Sequence, residues 1–444
     1  MLNLKGLKQV SVVETEGQYE IEATVTGEAP VCSCLLPNVR KNGRRKSLFF
    51  DTPMHGKKVG IWVQRQRYQC TNCHRTIYEK IPHMHPSHDM TDRLVKYIQT
   101  NGTERTFTAI AQEIGVDVQT VRGIWRTHAQ KELDRLCPVT PEWMGIDELH
   151  VMHAYRGVIT NVKDRTIVDM LENRKKETVV RYLVGLHDKE KIKIVTMDMW
   201  EQYREAVTMV LPWAKIVVDR FHISRMAGEA MERVRKQVMK ALEDKGEALT
   251  MKGDRFLFLT GAKKLDWGNT ILLESNLGRF PLLMAAWKAK EAYRAIWDHK
   301  SRQDAEAAYD KWVAELDPTV AKAFEDLVTA MANWRTEIFN YFEHRLTNSY
   351  TEGFNAIARR MDRMGRGYSF KVLRAKLLLK YSCHKAAPPR KFSRANKRDE
   401  EIMRRLDTKM RLLIHDLGPK AVSTHLGVDI STLAKWLETL PEKG

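Results

Sequence analysis

Cysteine, long apolar runs and acidic charge are all scarce in this 444-residue chain. No stretch approaches the roughly 18 apolar residues that a membrane span needs. The amino-terminal MLNLKGLKQVSVVE lacks the apolar core and cleavage site of a secretory signal. These shortages argue against an integral membrane protein and a secreted one, and predict a cytoplasmic protein. Six cysteines are too few for a disulfide framework in so long a chain. Four of them fall in two tight pairs, Cys32/Cys34 and Cys70/Cys73, which points to metal rather than to oxidation. Cys137 and Cys383 stand alone and read as small buried apolar residues. Acids number 56 against 74 Lys and Arg, a formal charge of +18 with a pI near 9.5. Such an excess calls for a polyanionic partner, double-stranded DNA first.

The length allows several domains, and the pattern along the chain predicts a multidomain α+β protein. Residues 1–88 form the first module, in which 30–85 mix Cys, Pro, Gly and basic residues with short extended runs such as KVGIWVQRQRYQC. They read as a zinc-ribbon-like module, too poor in aliphatics to fold on its core alone, whose folding follows metal binding. Residues 89–140 turn helical. FTAIAQEIGVDVQTVRGIWRTH reads as helix, glycine turn and second helix, a helix-turn-helix whose Arg122 and Arg126 are the expected DNA contacts. Residues 141–222 run strand, strand, strand, helix, strand, helix, strand, which is the order of a ribonuclease-H-like core. Residues 223–345 have almost no strand signal and form an all-helical insertion, its five tryptophans read as core residues. Residues 346–385 are expected to complete the core, and 386–444 to form a basic linker followed by a second helix-turn-helix-like segment. The pair EIGVDVQTV and HLGVDISTL carries that internal similarity.

Three carboxylates concentrate the chemistry. Asp147 in WMGIDELHV and Asp219 in AKIVVDRFH end β-branched runs, whereas Glu352 in TNSYTEGFNAIAR lies in a helical stretch. Any one strand-end acid is commonly a solvated loop residue. Three of them match what two magnesium or manganese ions need, namely hard oxygen donors held rigidly around a phosphorus centre. His222, just past Asp219, is placed to contact a scissile phosphate or orient a water, or else merely to cap a helix. Asn348 and Asn355 share a helix face with Glu352 and are expected to fix its rotamer and touch the DNA backbone, with the basic Arg359 and Arg360 behind them. Glu148 should point to the opposite side of its strand from Asp147. Cys70-Thr-Asn-Cys73 makes a good zinc knuckle, while Cys32-Ser-Cys34 has one residue fewer than the usual spacing. His74 or His55 therefore stands as an alternative fourth ligand.

Taken in order, DTPMHGKKV, RYQCTNCHRT, GIDE, VVDRFH and TNSYTEGFNAIARRMDRMGRGYSF closely resemble the bacterial insertion-sequence transposases of the ISL-three family over nearly the whole chain. The resemblance implies a DDE transposase with a ribonuclease-H-like core in which Asp147, Asp219 and Glu352 hold two magnesium ions, and a D-x-x-H element at Asp219 and His222. On that reading the helix-turn-helix elements and the zinc module bind the terminal inverted repeats, strand cleavage and strand transfer follow, and, because one metal pair must serve both steps at each end, a homodimer holding two ends in a synaptic complex is expected. Two other readings stay open: a DNA-binding protein with a vestigial nuclease core, and a structure-specific nuclease without strand transfer.

Overall fold

A computed structural model describes residues 3–386, apart from 27–28, 33, 35–38, 80, 138 and 383–384. The carboxyl-terminal segment expected from 386 onward thus lies outside the described residues beyond Ala386, as do Cys383 and the side chain of Cys137. Contacts divide the chain into two units, Met1–Cys137 with Met361–Ala387, and one that contains Pro138–Arg360.

The first unit begins with a five-stranded sheet: β1 (Leu7–Glu14), β2 (Gln18–Val25), β3 (Val39–Met54), β4 (Lys57–Cys70) and β5 (Thr76–Tyr78). The order is β1-β2-β4-β3, with β5 on the far part of β4. QYEIEATV alternates strictly, so β2 buries Tyr19, Ile21 and Ala23 against Phe49, Val59, Ile61 and Val63. This core corrects the expectation of a module too poor in apolar residues to pack. Two strands, β1 and β2, precede the extended runs expected from residue 30 onward.

Three helices follow, α1 (Asp92–Glu104), α2 (Phe107–Ile114) and α3 (Val118–Arg135). Each starts at an oxygen-bearing cap, Thr91, Thr106 or Asp117, that accepts backbone N–H groups of the first turn. Gly115, at φ +78°, makes the left-handed turn between α2 and α3. Trp125 fills the centre of the helices, packed on Gly102. A two-residue strand β6 (Leu136–Cys137) pairs with β12 (Lys385–Ala386). The helix α16 (Phe370–Tyr381) also belongs to this unit and packs on α3 and α1. Its buried Lys376 donates to the carbonyls of Gly102 and Arg105, and its ammonium faces the rings of Phe107, Trp125 and Tyr368. The segment 346–385, expected to belong wholly to the catalytic core, therefore divides: an apolar helix face found its partners on α1 and α3 instead.

The second unit is built on β7 (Trp143–Val151), β8 (Ala154–Asn161), β9 (Thr166–Leu171), β10 (Ile194–Met197) and β11 (Lys215–Val218), with α4 (Lys176–Val184) and α5 (Glu201–Val210) as crossovers. The sheet order is β11-β10-β7-β8-β9, in which β7, β10 and β11 run parallel and the meander is antiparallel. Parallel strands buried on both faces read as unbroken β-branched runs, as IKIVTM and KIVV do. One face is covered by Val179, Val180 and Leu183 of α4 and Tyr203, Ala206, Val207 and Val210 of α5.

Beyond β11 come only helices: α6 (Arg220–Ala241), α7 (Lys245–Gly253), α8 (Arg255–Leu259), α9 (Trp267–Arg279), α10 (Pro281–Ile296), α11 (Arg302–Ala314), α12 (Pro318–Asn333), α13 (Arg335–Phe339) and α14 (Tyr341–His344). Trp297, Trp312 and Trp334 are buried in their core and Trp287 packs against it, but Trp267 is 82% exposed, contrary to the reading of all five as core. The chain then returns to the sheet as α15 (Ser349–Gly365). A side chain at Gly145 of β7 would overlap the hydroxyls of Thr160 and Thr351, which meet each other at 2.7 Å. Glycine at this position is what lets α15 press onto the sheet. No helix of the described residues is long and apolar enough to cross a membrane.

Candidate active site and metal centres

Two clusters of metal-ligating side chains stand out among the described residues. In the first unit, Cys32 and Cys34 precede β3, Cys70 ends β4 and Cys73 sits on the next turn. The Sγ atoms of Cys32 and Cys73 are 3.4 Å apart and those of Cys34 and Cys70 are 3.6 Å apart, too far for disulfides. A tetrahedron of zinc–sulfur bonds has edges of about 3.8 Å, so the four thiols fit the ion as they stand. The one-residue spacing of Cys32 and Cys34 is no obstacle, and neither histidine alternative belongs to the cluster: His55 instead sits 3.2 Å from the Tyr19 hydroxyl. The backbone N–H of Cys73 pulls the Cys70 thiol down to about 6, against the opposing effect of burial. Donors aimed at sulfur favour the thiolate that a zinc ion needs.

The second cluster lies at the carboxyl ends of the parallel strands. Met197 pairs with Ile146 on one side and with Val218 on the other. The next residue of each strand is an aspartate, so Asp147, Asp198 and Asp219 follow one another across three neighbouring strands, spaced by about 4.8 Å per strand. Glu352 arrives from the first turn of α15. Ligand atoms of Asp219, His222 and Glu352 lie within 4.8 Å of one another. Asp147 stands apart from that group, yet it feels the charges of Asp198, His222 and Glu352.

These acids occupy unlike settings. Asp147 is 5% exposed; burial first, and the charge of Asp198 second, push its carboxyl up to about 7. Its Oδ1 accepts the Glu148 N–H at 2.7 Å and its Oδ2 the Asn355 Nδ2 at 2.8 Å. Asp219 is 2% exposed, and both its oxygens are engaged by backbone. Oδ1 caps α6 through Phe221 N at 2.9 Å, and Oδ2 accepts Asn348 N at 3.1 Å, which ties the start of α15 to the start of α6. Asp198 has its side chain 24% exposed and lies 3.0 Å from His222 Nδ1. That contact raises the pKa of His222, against burial. Glu352 is raised by burial and by Asp219. Raised acids crowded at one edge mark a place that wants a cation.

The sequence reading did not single out Asp198. It ends IKIVTMDMW as Asp219 ends KIVVD, so the same strand-end signature was present, and only the pairing register makes the two acids neighbours. A second missed group adjoins it. Arg174 pairs with Glu148 and lies over the rings of Tyr155 at 4.1 Å and Trp200 at 4.5 Å. Glu148 thus turns away from Asp147 toward this arginine, as alternation requires.

Two expected DNA contacts need correction. Asn348 and Asn355 are 0% and 2% exposed. Asn348 Oδ1 accepts from Thr196, and Asn355 donates to Asp147 rather than steadying Glu352. Both face inward because α15 lies so close to β7, which leaves no room for a phosphate beside them. Arg126, Arg359 and Arg360 are exposed, and Arg122 is half-buried against Gln119 and the Phe107 ring.

The transposase family model ISL3 matches residues 144–377, and the zinc-finger model of the IS204/IS1001/IS1096/IS1165 transposases matches residues 30–73. The transposase for insertion sequence element IS1001 of Bordetella parapertussis is 23% identical over 324 residues, which cover 72% of this chain and 80% of that protein. The zinc-finger match spans all four clustered cysteines, so the first cluster is a structural zinc site. Since the family model spans more than half of the sequence, the chain belongs to the ISL3 family of insertion-sequence transposases.

Proposed function

We propose that this transposase binds the terminal inverted repeats of its element and cuts and rejoins DNA at a pair of divalent ions held by Asp147, Asp198 and Glu352. The observation that carries the reading is the row of three aspartates on adjacent strand ends with Glu352 brought beside them by α15. The sheet order, three antiparallel strands followed by two parallel crossovers, supports the reading of a ribonuclease-H-like core. Asp198 replaces Asp219 as the second ligand. Asp219 spends one oxygen on each of two backbone N–H groups, whereas Asp198 is more open and holds only the imidazole. The donors are all hard oxygens, which suits magnesium or manganese. When bound, the two ions supply Lewis-acid stabilisation at phosphorus for hydrolysis and then for attack by the freed 3′ hydroxyl.

The protein's own groups set the stage. Asn355 fixes the Asp147 carboxylate, and Asp219 clamps the two helix starts so that Glu352 stays at the edge. His222, held by Asp198, would carry a proton or donate a hydrogen bond to a phosphate at the same edge. The glycine turn between α2 and α3 presents a helix-turn-helix reader with Arg126 outward. Each end needs its own acid site, so two protomers joined in one synaptic complex are the expected assembly. The test is strand cleavage on DNA bearing the element's ends. Asp147→Asn, Asp198→Asn and Glu352→Gln should each lose at least about a thousandfold in rate with end binding retained. Full cleavage by Asp198→Asn would return the second ligand position to Asp219.

A further inference from the structure

The zinc-bearing end of the amino-terminal sheet carries a surface that the site above does not use. β2 stays beside β4 only as far as the pair Thr24 and Gln64. Past that point β3 and β4 continue to the pair Val39 and Cys70, with β5 on the other edge of β4 over Arg67–Gln69. The sheet thus ends in a narrow arm closed by the four cysteines.

This arm is cationic throughout. β3 supplies Arg40, Lys41, Arg44, Arg45 and Lys46, and β4 supplies Arg65 and Arg67. No acid occurs between Val39 and Phe50 or between Lys57 and Tyr78. Lys46 is paired with Glu22. The other six make no ion pair among the described residues. The contacts they make are with neutral groups: Arg40 bonds Gln69 Oε1, Arg67 bonds the Asn42 carbonyl, and Arg65 lies over the Tyr78 ring at 4.6 Å, while the one acid beside them, Glu79, accepts the Gln66 N–H at 2.7 Å. Arg45 and Arg65 are direct cross-strand partners. Like charges opposite each other destabilise a strand pair. Keeping them there, with glutamines rather than acids at the neighbouring positions, makes sense when a polyanion lies along the ribbon.

We propose that this zinc-capped arm is a phosphate rail, a surface that grips the backbone of duplex DNA without reading its sequence. The proposal rests on the transposase reading and assigns to β3 and β4 a task separate from base readout by α3. Exposed arginines on an extended ribbon offer charge to successive phosphates, and the short neutral side chains between them carry no base-specific pattern.

The test compares end DNA with random duplex of equal length by anisotropy titration at several salt concentrations. The protein is the full-length, zinc-loaded chain with Lys41, Arg44 and Arg45 all changed to Ala. The expected result is an affinity loss of roughly ten- to a hundredfold for both DNAs alike, and a salt slope shallower by about 2 to 3. The Arg44→Lys, Arg45→Lys variant should keep the slope. Zinc content and circular dichroism establish that the arm is intact. Should the alanine variant fold poorly, the unaltered protein decides: duplex DNA should shield Lys41 from acylation. Unchanged affinity and slope, a loss confined to end DNA, or equal labelling of Lys41 with and without DNA would each overturn the rail. Those outcomes leave the acid site untouched. Failure of the unaltered protein to bind or cut end DNA at all would instead strike the transposase reading.

Discussion

The thiolate cluster and the acid cluster solve opposite problems. Cys32, Cys34, Cys70 and Cys73 are alike, come from two short chain segments and already stand at the separations a tetrahedral ion imposes. The acids come from three strands and a helix on the far side of a long insertion, and no two have the same surroundings. A structural ion needs only equal donors and closure. In the proposed catalytic site some carboxylates are locked by hydrogen bonds and others left open, and Asn348, Asn355 and Asp219 are engaged in the locking. The first cluster should therefore govern whether the zinc-bearing end of its unit holds its shape, and the second how its unit responds to cations and pH.

The largest effect expected from this contrast lies at Cys70. Cys70→Ser should release zinc, with an apparent loss on the order of 10 kcal/mol of metal-coupled folding energy in the first unit. Limited proteolysis should then digest Met1–Cys137 first, while the second unit keeps its melting transition. Retained stoichiometric zinc with an unaltered digestion pattern would erase the distinction between the clusters.

Next in size is the pH dependence of the metal-free acid site. A carboxyl with a raised pKa binds its proton more tightly in the folded chain than in the unfolded one. Its contribution is complete below the ordinary value and is lost as pH climbs toward the folded one, about 7 for Asp147. The raised His222 acts in the same direction. Between pH 4 and 7 the Asp147 contribution to the metal-free second unit, on the order of 4 kcal/mol, should thus be lost, against the gain from lowered carboxylates such as Glu142. Magnesium should restore it, and Asp147→Asn should flatten the curve. A melting temperature that does not change with pH in the metal-free protein would contradict the crowding of acids.

Much of this was legible in the chain. Cys-x-x-Cys, the strand-ending aspartates and the order of strands and helices are local signals, and they led to both clusters. What escaped depended on pairing. Asp198 has no feature in sequence that Asp219 lacks; the alignment of Met197 with Ile146 and Val218 is what puts it between the other two. The fate of α16 was hidden for the same reason, because an apolar helix face does not name its partner, and Lys376 among three aromatic rings looks like a surface lysine until the fold closes on it. Asn348 lies just before α15 and Asn355 on it, about one turn either side of Glu352, but their burial follows from Gly145, two residues before Asp147.

That glycine supplies the third prediction. In Gly145→Ala the new methyl group meets Thr160 and Thr351, two hydroxyls held against each other on different elements. Overpacking of this kind costs about 3 kcal/mol and pushes α15 outward. Cleavage should fall with stability, while zinc content and end binding stay. Gly145→Ala combined with Thr351→Ala should recover part of both, since it removes the Oγ1 that the new methyl group would meet at 2.5 Å. No recovery would mean that the helix is set by other contacts.

The smallest effect is the most specific to the acid site. Asn355→Ala leaves Asp147 with only the Glu148 N–H as donor, and losing one hydrogen bond to a carboxylate costs about 1.5 kcal/mol. A structural role alone would show as that loss at every pH. If Asn355 tunes the carboxylate, the change is asymmetric, because removing a donor disfavours the charged form and moves the Asp147 pKa further up from about 7. The metal-free protein should then lose little at pH 5 and more at pH 8, and the cation concentration needed for half-maximal cleavage should rise with it. Asn355→Asp gives the complementary result: a second carboxylate beside Asp147 should weaken the metal-free fold still further at high pH, and added divalent cation should offset most of that difference. A loss that is the same at pH 5 and pH 8 in both variants would make Asn355 a packing residue and leave Asp147 to be set by burial alone.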